Sequence, residues 1–150
     1  MATLTTTLSE TVTLNGALRG STNSVTTTGI NDIFERIVTC TASVATTVAV
    51  FDTLPSTSAG AINVAKTKYV RVTNLETDVD IELAVVTTAS NYQIILTAGQ
   101  SHILCQGADL ALAEEDTTPS FGTMEDLATL QVKPTTAVTA RVEVFVAVAE

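Results

Sequence analysis

The chain has 150 residues, of which 45% are apolar and only 15% charged, with a formal net charge of −9. That length suits one domain with a real core, and the apolar content is too high for a compositionally disordered chain. Seven basic residues spread over the whole chain form no electropositive stripe, so the composition argues against nucleic acid and against anionic lipid as partners.

Thr and Val supply nearly a third of the residues. Branching at Cβ crowds a helix and suits a pleated sheet, so the bias points to an all-β fold. MATLTTTLSE has neither a basic start nor a continuous apolar run, so no secretory signal is read there. No segment approaches the ~20 apolar residues that a membrane helix requires.

In chain order, Leu4, Leu8, Val12 and Leu14 share one parity in a Thr-rich setting, a weak apolar face for one or two strands. Asn15-Gly16 is a turn signal, and Arg19–Ser24 reads as loop. Residues 1–28 are therefore expected to be an edge segment or an N-terminal arm that orders against a partner. Gly29–Asp32 reads as a turn, followed by a strand over Ile33–Thr39. A further strand over Ser43–Phe51 is expected to put Val44, Thr46, Val48 and Val50 on one face. The Pro- and Ser-containing stretch 52–60 is a loop, and Ala61–Val64 a short extended piece.

The stretch Lys68–Cys105 reads as a sheet meander. Val70 and Val72 alternate with Tyr69, Arg71 and Thr73; Ile81, Leu83 and Val85 oppose Glu82, Ala84 and Val86; Tyr92, Ile94 and Leu96 oppose Gln93, Ile95 and Thr97. Thr97-Ala98-Gly99-Gln100 is a turn in which Gly99 can take a positive φ, and Ser101–Cys105 is extended again. Leu110–Ala113 is a candidate short strand, and 114–119 an acidic exposed loop. Ser120–Leu130 admits a capped helical turn or the start of a strand. Val138 to Val148 alternate without error, which predicts a long strand in a sheet centre. Roughly eight to ten strands with no crossover helix predict a single domain over residues 1–150, an antiparallel two-sheet β-sandwich, jelly-roll-like.

Sites of chemistry are sparse. His102 is the only histidine, too few for a metal centre of the cupin kind. His102 and Cys105 are three residues apart and would point to opposite faces of a strand, so a Cys–His nucleophile would need Cys40 brought beside His102. Cys40 and Cys105 are read as two buried free thiols, with one disulfide as the alternative. Asp78 with Asp80, or Glu114, Glu115 and Asp116, are the acidic groups available for Ca²⁺, though solvated turn chemistry accounts for them as well. Dinucleotide, P-loop and nucleophile-elbow motifs are absent from the sequence. The expectation is a non-enzymatic protein with no catalytic, metal or cofactor residues.

The stretches GINDIFERIVTC, KYVRVTNLETDVDIELAV and YQIILTAGQSHILC, with the Val-alternating C-terminus, resemble small virion structural proteins of tailed phages, especially cyanophage and other marine types. Tyr69–Leu75 and Tyr92–Ser101 carry most of that resemblance. It implies a capsid decoration or cement protein: a β-sandwich, often a homotrimer, that binds the major capsid protein between capsomers on the outer capsid surface after synthesis in the host cytoplasm. The other reading is a head-fibre or tail-associated host-recognition module that binds glycans, for which Tyr92 and Phe121 are the aromatic candidates.

Overall fold

The structure, a computed structural model, describes residues 1–54, 60–108, 111–112 and 123–150. Its strands in chain order are β1 (Ala2–Ser9), β2 (Val12–Leu14), β3 (Ala17–Arg19), β4 (Thr22–Cys40), β5 (Thr46–Asp52), β6 (Ile62–Asn63), β7 (Thr67–Asn74), β8 (Ile81–Thr87), β9 (Asn91–Leu96), β10 (Ser101–Leu104), β11 (Ala111–Leu112), β12 (Met124–Glu125), β13 (Leu127–Pro134) and β14 (Ala140–Ala149). A 3₁₀ turn over Val64–Lys66 joins β6 to β7, its first turn capped by Asn63 Oδ1, which accepts from the Lys66 N–H at 3.3 Å.

Two five-stranded sheets pack face to face, in the orders β1-β4-β14-β7-β10 and β6-β5-β13-β8-β9. Every pairing is antiparallel except the short β5–β6 contact. Setting aside the outer additions β1 and β6 leaves four strands in each sheet. The consecutive strands that remain alternate between the sheets along β4, β5, β7, β8, then from β9 to β10, β13 and β14, only β8 and β9 staying in one sheet, which is the connectivity of a jelly roll.

The meander expected over Lys68–Cys105 is therefore corrected. Only β8 and β9 are sequential neighbours there; β7 pairs with β10 and β14 in the opposite sheet. Alternation says which face a side chain takes, and carries no information on which strand lies alongside.

The core lies between the sheets. Val142, Val144 and Val146 of β14 and Val70 and Val72 of β7 meet Leu83, Val85, Leu130 and Val132 of the other sheet, all essentially without exposure. The long alternating strand does occupy a sheet centre, between β4 and β7, but it starts at Ala140 and leaves Val138 exposed.

In β5 the expected parity fails. Leu130 faces Ala49 while Gln131 faces Thr47, so Val48 is an extra residue in a bulge. Val48, Ala49 and Phe51 turn inward as a result, and Val44 and Val50 are exposed. At the other ambiguous segment the strand prevails: β13 begins at Leu127 and pairs on both sides. Residues 55–59, the acidic run 114–119 and Phe121 lie outside the described residues.

Asn74 is the buried polar group that ties the sheets together. Its Nδ2 donates to Val79 O at 2.8 Å and Leu96 O at 3.1 Å, and its Oδ1 accepts from the Glu76 N–H at 3.1 Å. Among the described residues no buried side-chain polar atom lacks a hydrogen-bond partner.

The loop expected at Arg19–Ser24 is confined to Gly20-Ser21 between β3 and β4, and the turn expected at Gly29–Asp32 lies inside the 19-residue strand β4. Its C-terminal half pairs with β14, and its N-terminal half pairs with β1 from Ala2↔Ile30 to Ser9↔Thr22. Gly29, at φ +79°, sits where the register shifts, so the strand bends there without ending. Beyond Ser9 the hairpin continues through β2 and β3 to the Asn15-Gly16 turn, whose φ values of 51° and 77° are those of a type I′ turn. Residues 1–28 thus form a two-stranded ribbon at the edge of the first sheet that adds nothing to the core between the sheets.

Candidate functional site

The predicted chemistry is dispersed by the fold. Cys40 ends β4 and is fully buried, whereas Cys105 follows β10 and is exposed; both thiols are free. The expectation of two buried thiols therefore fails at Cys105, because β10 stops at Leu104 and the chain turns outward. β4 and β10 are separated by β14 and β7, a lateral gap of roughly 14 Å at the usual strand spacing, so Cys40 does not approach His102. Burial raises the Cys40 thiol pKa, partly offset by its hydrogen bond with Thr46, which is the opposite of nucleophile activation.

His102 shares the inward parity of Leu104 and is half-buried at the sandwich edge. Its Nε2 lies 3.2 Å from the Tyr92 hydroxyl, bridging edge strand β10 of one sheet to edge strand β9 of the other. Burial pushes the His102 pKa down and the Tyr92 pKa up, so the pair favours its neutral form. Tyr92 thus acts as an edge clasp within the fold, and its hydroxyl is already engaged.

Asp80 is used structurally. Its Oδ1 accepts from the Ala98 N–H at 3.2 Å, and its carbonyl accepts from both the N–H and the hydroxyl of Thr135. Among the described residues no group of three or more His, Cys, Asp or Glu converges.

The structure assembles a different constellation, on the outer face of the first sheet. Tyr69 and Arg71 of β7 lie beside Phe145 and Glu143 of β14 because Phe145 pairs with Arg71 across the ladder. The Tyr69 and Phe145 rings meet edge to face with centroids 6.0 Å apart. Arg71 Nη2 pairs with Glu143 Oε2 at 3.0 Å, and Nη1 donates to Thr73 Oγ1 at 2.7 Å. Thr73 Oγ1 in turn lies 2.8 Å from Ser101 Oγ. The guanidinium charge is therefore compensated in place.

Over this surface runs β1. A groove of about 270 Å³ is lined by Leu4, Thr5, Thr6 and Thr7 on one side and by Tyr69, Arg71 and Phe145 on the other. Along β1 the even positions Leu4 and Thr6 are part-buried while Thr3, Thr5 and Thr7 are exposed, so the strand turns one face toward this surface. β4 occupies one edge of β1 and contributes no lining residue. β1 is the terminal strand of its sheet, and its edge away from β4 is unpaired.

The ribbon itself is poorly covered. Leu8, Val12, Leu14, Leu18 and Val25 are 57–74% exposed. It holds one acid, Glu10, and one base, Arg19, so it is neutral and the net charge of −9 resides on the rest of the chain. Its two strands are pinched at Gly20, where φ is +124° and a Cβ would fall 2.0 Å from the Glu10 carbonyl oxygen. No sequence pattern marks the Tyr69–Arg71–Phe145 surface, because its members are brought together by pairing between strands more than seventy residues apart in sequence.

No family model, curated protein or solved structure matches this chain. No helix among the described residues is long and apolar enough to cross a membrane.

Proposed function

We propose that this protein is a non-enzymatic virion component of the capsid decoration or cement type. On this reading it binds the outer capsid surface between capsomers as a homo-oligomer and stabilises the shell. The observation that carries the proposal is the neutral, apolar-studded ribbon of residues 1–28 extending from a jelly-roll body. A clamp on a symmetric shell acts through many modest, repeated contacts, and a peripheral strand pair with an unpaired edge is a means of making them. The acidic body suits a position facing solvent, away from packaged nucleic acid. The sequence resemblance to small tailed-phage virion proteins points the same way.

Copy number in purified particles tests the proposal. Decoration requires on the order of hundreds of copies per particle, as multivalent coverage of a shell demands. A handful of copies would place the chain in an appendage instead. Deleting residues 1–28 is expected to abolish capsid binding, and unchanged binding would exclude the ribbon as the clamp.

The groove beside Tyr69, Arg71 and Phe145 favours a second reading, recognition of a host-surface glycan by a head-fibre or tail-associated module. Two aromatic rings next to a charge-compensated guanidinium form a surface suited to a neutral polyol. Glycan-array binding by the isolated protein, lost in Tyr69→Ala, is the result that this reading requires.

A further inference from the structure

The free edge of β1 has a definite set of hydrogen-bonding groups. The Glu10 N–H donates to the Ser21 carbonyl at 2.9 Å, which makes Glu10 and Ser21 a hydrogen-bonded pair. The register runs unbroken from there to Thr3, so by the alternation of antiparallel ladders Leu8/Asn23, Thr6/Val25 and Leu4/Thr27 are also hydrogen-bonded pairs. Ser9/Thr22 and Thr7/Ser24 are then the close, non-hydrogen-bonded pairs. Their hydroxyls do meet across the ribbon, at 3.0 and 3.2 Å. It follows that Thr3, Thr5, Thr7 and Ser9 turn their backbone N–H and C=O groups away from β4, toward the open edge.

That edge carries none of the usual protections. β1 has eight residues with no charge and no proline, and its one irregularity lies at Ala2/Thr3. β1 is the terminal strand of its sheet, so no strand of its own chain occupies that edge. The sequence along it is also palindromic in chemistry: Thr3-Leu4-Thr5-Thr6-Thr7-Leu8-Ser9 reads alike in both directions about Thr6. In an antiparallel pairing of two identical strands about a twofold axis each residue faces its mirror position, so this symmetry sets like beside like.

We propose that β1 pairs with β1 of a second copy of this chain, antiparallel, about a twofold axis at Thr6. In that register Thr3 meets Ser9 of the second copy, and Thr5 meets Thr7. All four outward-facing residues are then satisfied on each strand. Leu4 stands opposite Leu8 of the second copy, which covers a leucine that is 60% exposed in the single chain. An isolated two-stranded hairpin is marginal in water, and the pairing converts two of them into one four-stranded sheet, β4-β1-β1-β4. The ribbons are neutral, so no net charge on them opposes their meeting. The symmetry is twofold, in place of the threefold that the phage resemblance implies. The pairing is independent of capsid binding: a chain with no capsid partner still dimerises through it.

The test uses the purified full-length chain. Light scattering is expected to give the mass of two chains. In a Cys105→Ser background, Thr6→Cys should form a disulfide-linked dimer on mild oxidation, since the two Thr6 residues form a non-hydrogen-bonded pair with Cα atoms ~4.5 Å apart, within disulfide reach. Thr5→Cys in the same background should not, because its own copy lies on a diagonal beyond that reach. Thr5→Pro with Thr7→Pro removes outward N–H groups only, leaving β1–β4 pairing intact, and should weaken dimerisation on the order of a hundredfold. A strict monomer or trimer, or equal cross-linking of Thr5→Cys and Thr6→Cys, would overturn the proposal.

Discussion

His102 shows how a residue without catalytic partners still has a measurable signature. Burial holds its folded pKa below the ordinary value of 6.5. Between those two values the unfolded chain binds the extra proton and the folded chain does not, so stability rises with pH in that window. The contribution is fully present above pH 6.5 and is lost as pH falls through the folded pKa. Urea midpoints are expected to drop between pH 7 and the onset of carboxylate titration, and His102→Gln should flatten that drop. Asn74 makes a stronger demand. Asn74→Asp keeps the shape but sets a carboxylate against the Val79 and Leu96 carbonyl oxygens, with no donor left to give them. A loss of more than about 3 kcal/mol is expected from denaturant titration. In the core, Leu83→Ala removes a side chain with no exposed surface and should cost about 2–5 kcal/mol.

The elements differ in how much of their own stability they carry. β14 pairs on both sides and contributes Val142, Val144 and Val146 to the core, so it belongs to the cooperative unit. The ribbon contributes none of the fully buried core residues, all of which lie at Cys40 or later. Its shape rests on backbone geometry: the type I′ turn at Asn15-Gly16 and the pinch at Gly20. Gly20→Ala is expected to open the ribbon, since the added carbon would sit 2.0 Å from the Glu10 carbonyl oxygen at a φ of +124°. Amide exchange at Glu10 and the flanking strand residues, read by NMR, should speed up while exchange in β14 is unchanged.

For the whole molecule, the expectation is a body that folds without its ribbon. A chain lacking residues 1–28 should keep a cooperative thermal transition, followed by circular dichroism, because β4 from Ile30 onward retains its pairing with β14. The self-association and capsid binding proposed above are what should be missing from it. That separation of folding from interaction matches the charge distribution, with the acidic groups on the body and the neutral apolar surface on the ribbon.

Much of this was legible without coordinates. β-branched composition and period-two alternation dictate strands and their faces, because both are local properties of an extended backbone. They were enough to place the Val-rich strand β14, the glycine turn at Gly99 with its φ of +76°, and the all-β sandwich itself. Asn15-Gly16 likewise announced its turn, since both positions need positive φ. Three things were decided only by tertiary structure. Which strands lie side by side depends on loop paths and inter-sheet packing, so the meander expected over Lys68–Cys105 is divided between the two sheets of the expected jelly roll. A single bulge at Val48 reversed the inward face of half of β5. The Tyr69–Arg71–Phe145 groove and the unpaired edge of β1, the surfaces on which the proposals rest, exist because distant segments meet and because β4 passes through Gly29 without ending. The palindrome of Thr3–Ser9 was present in the sequence throughout, but it acquires meaning only once one edge of that strand is seen to be paired and the other free.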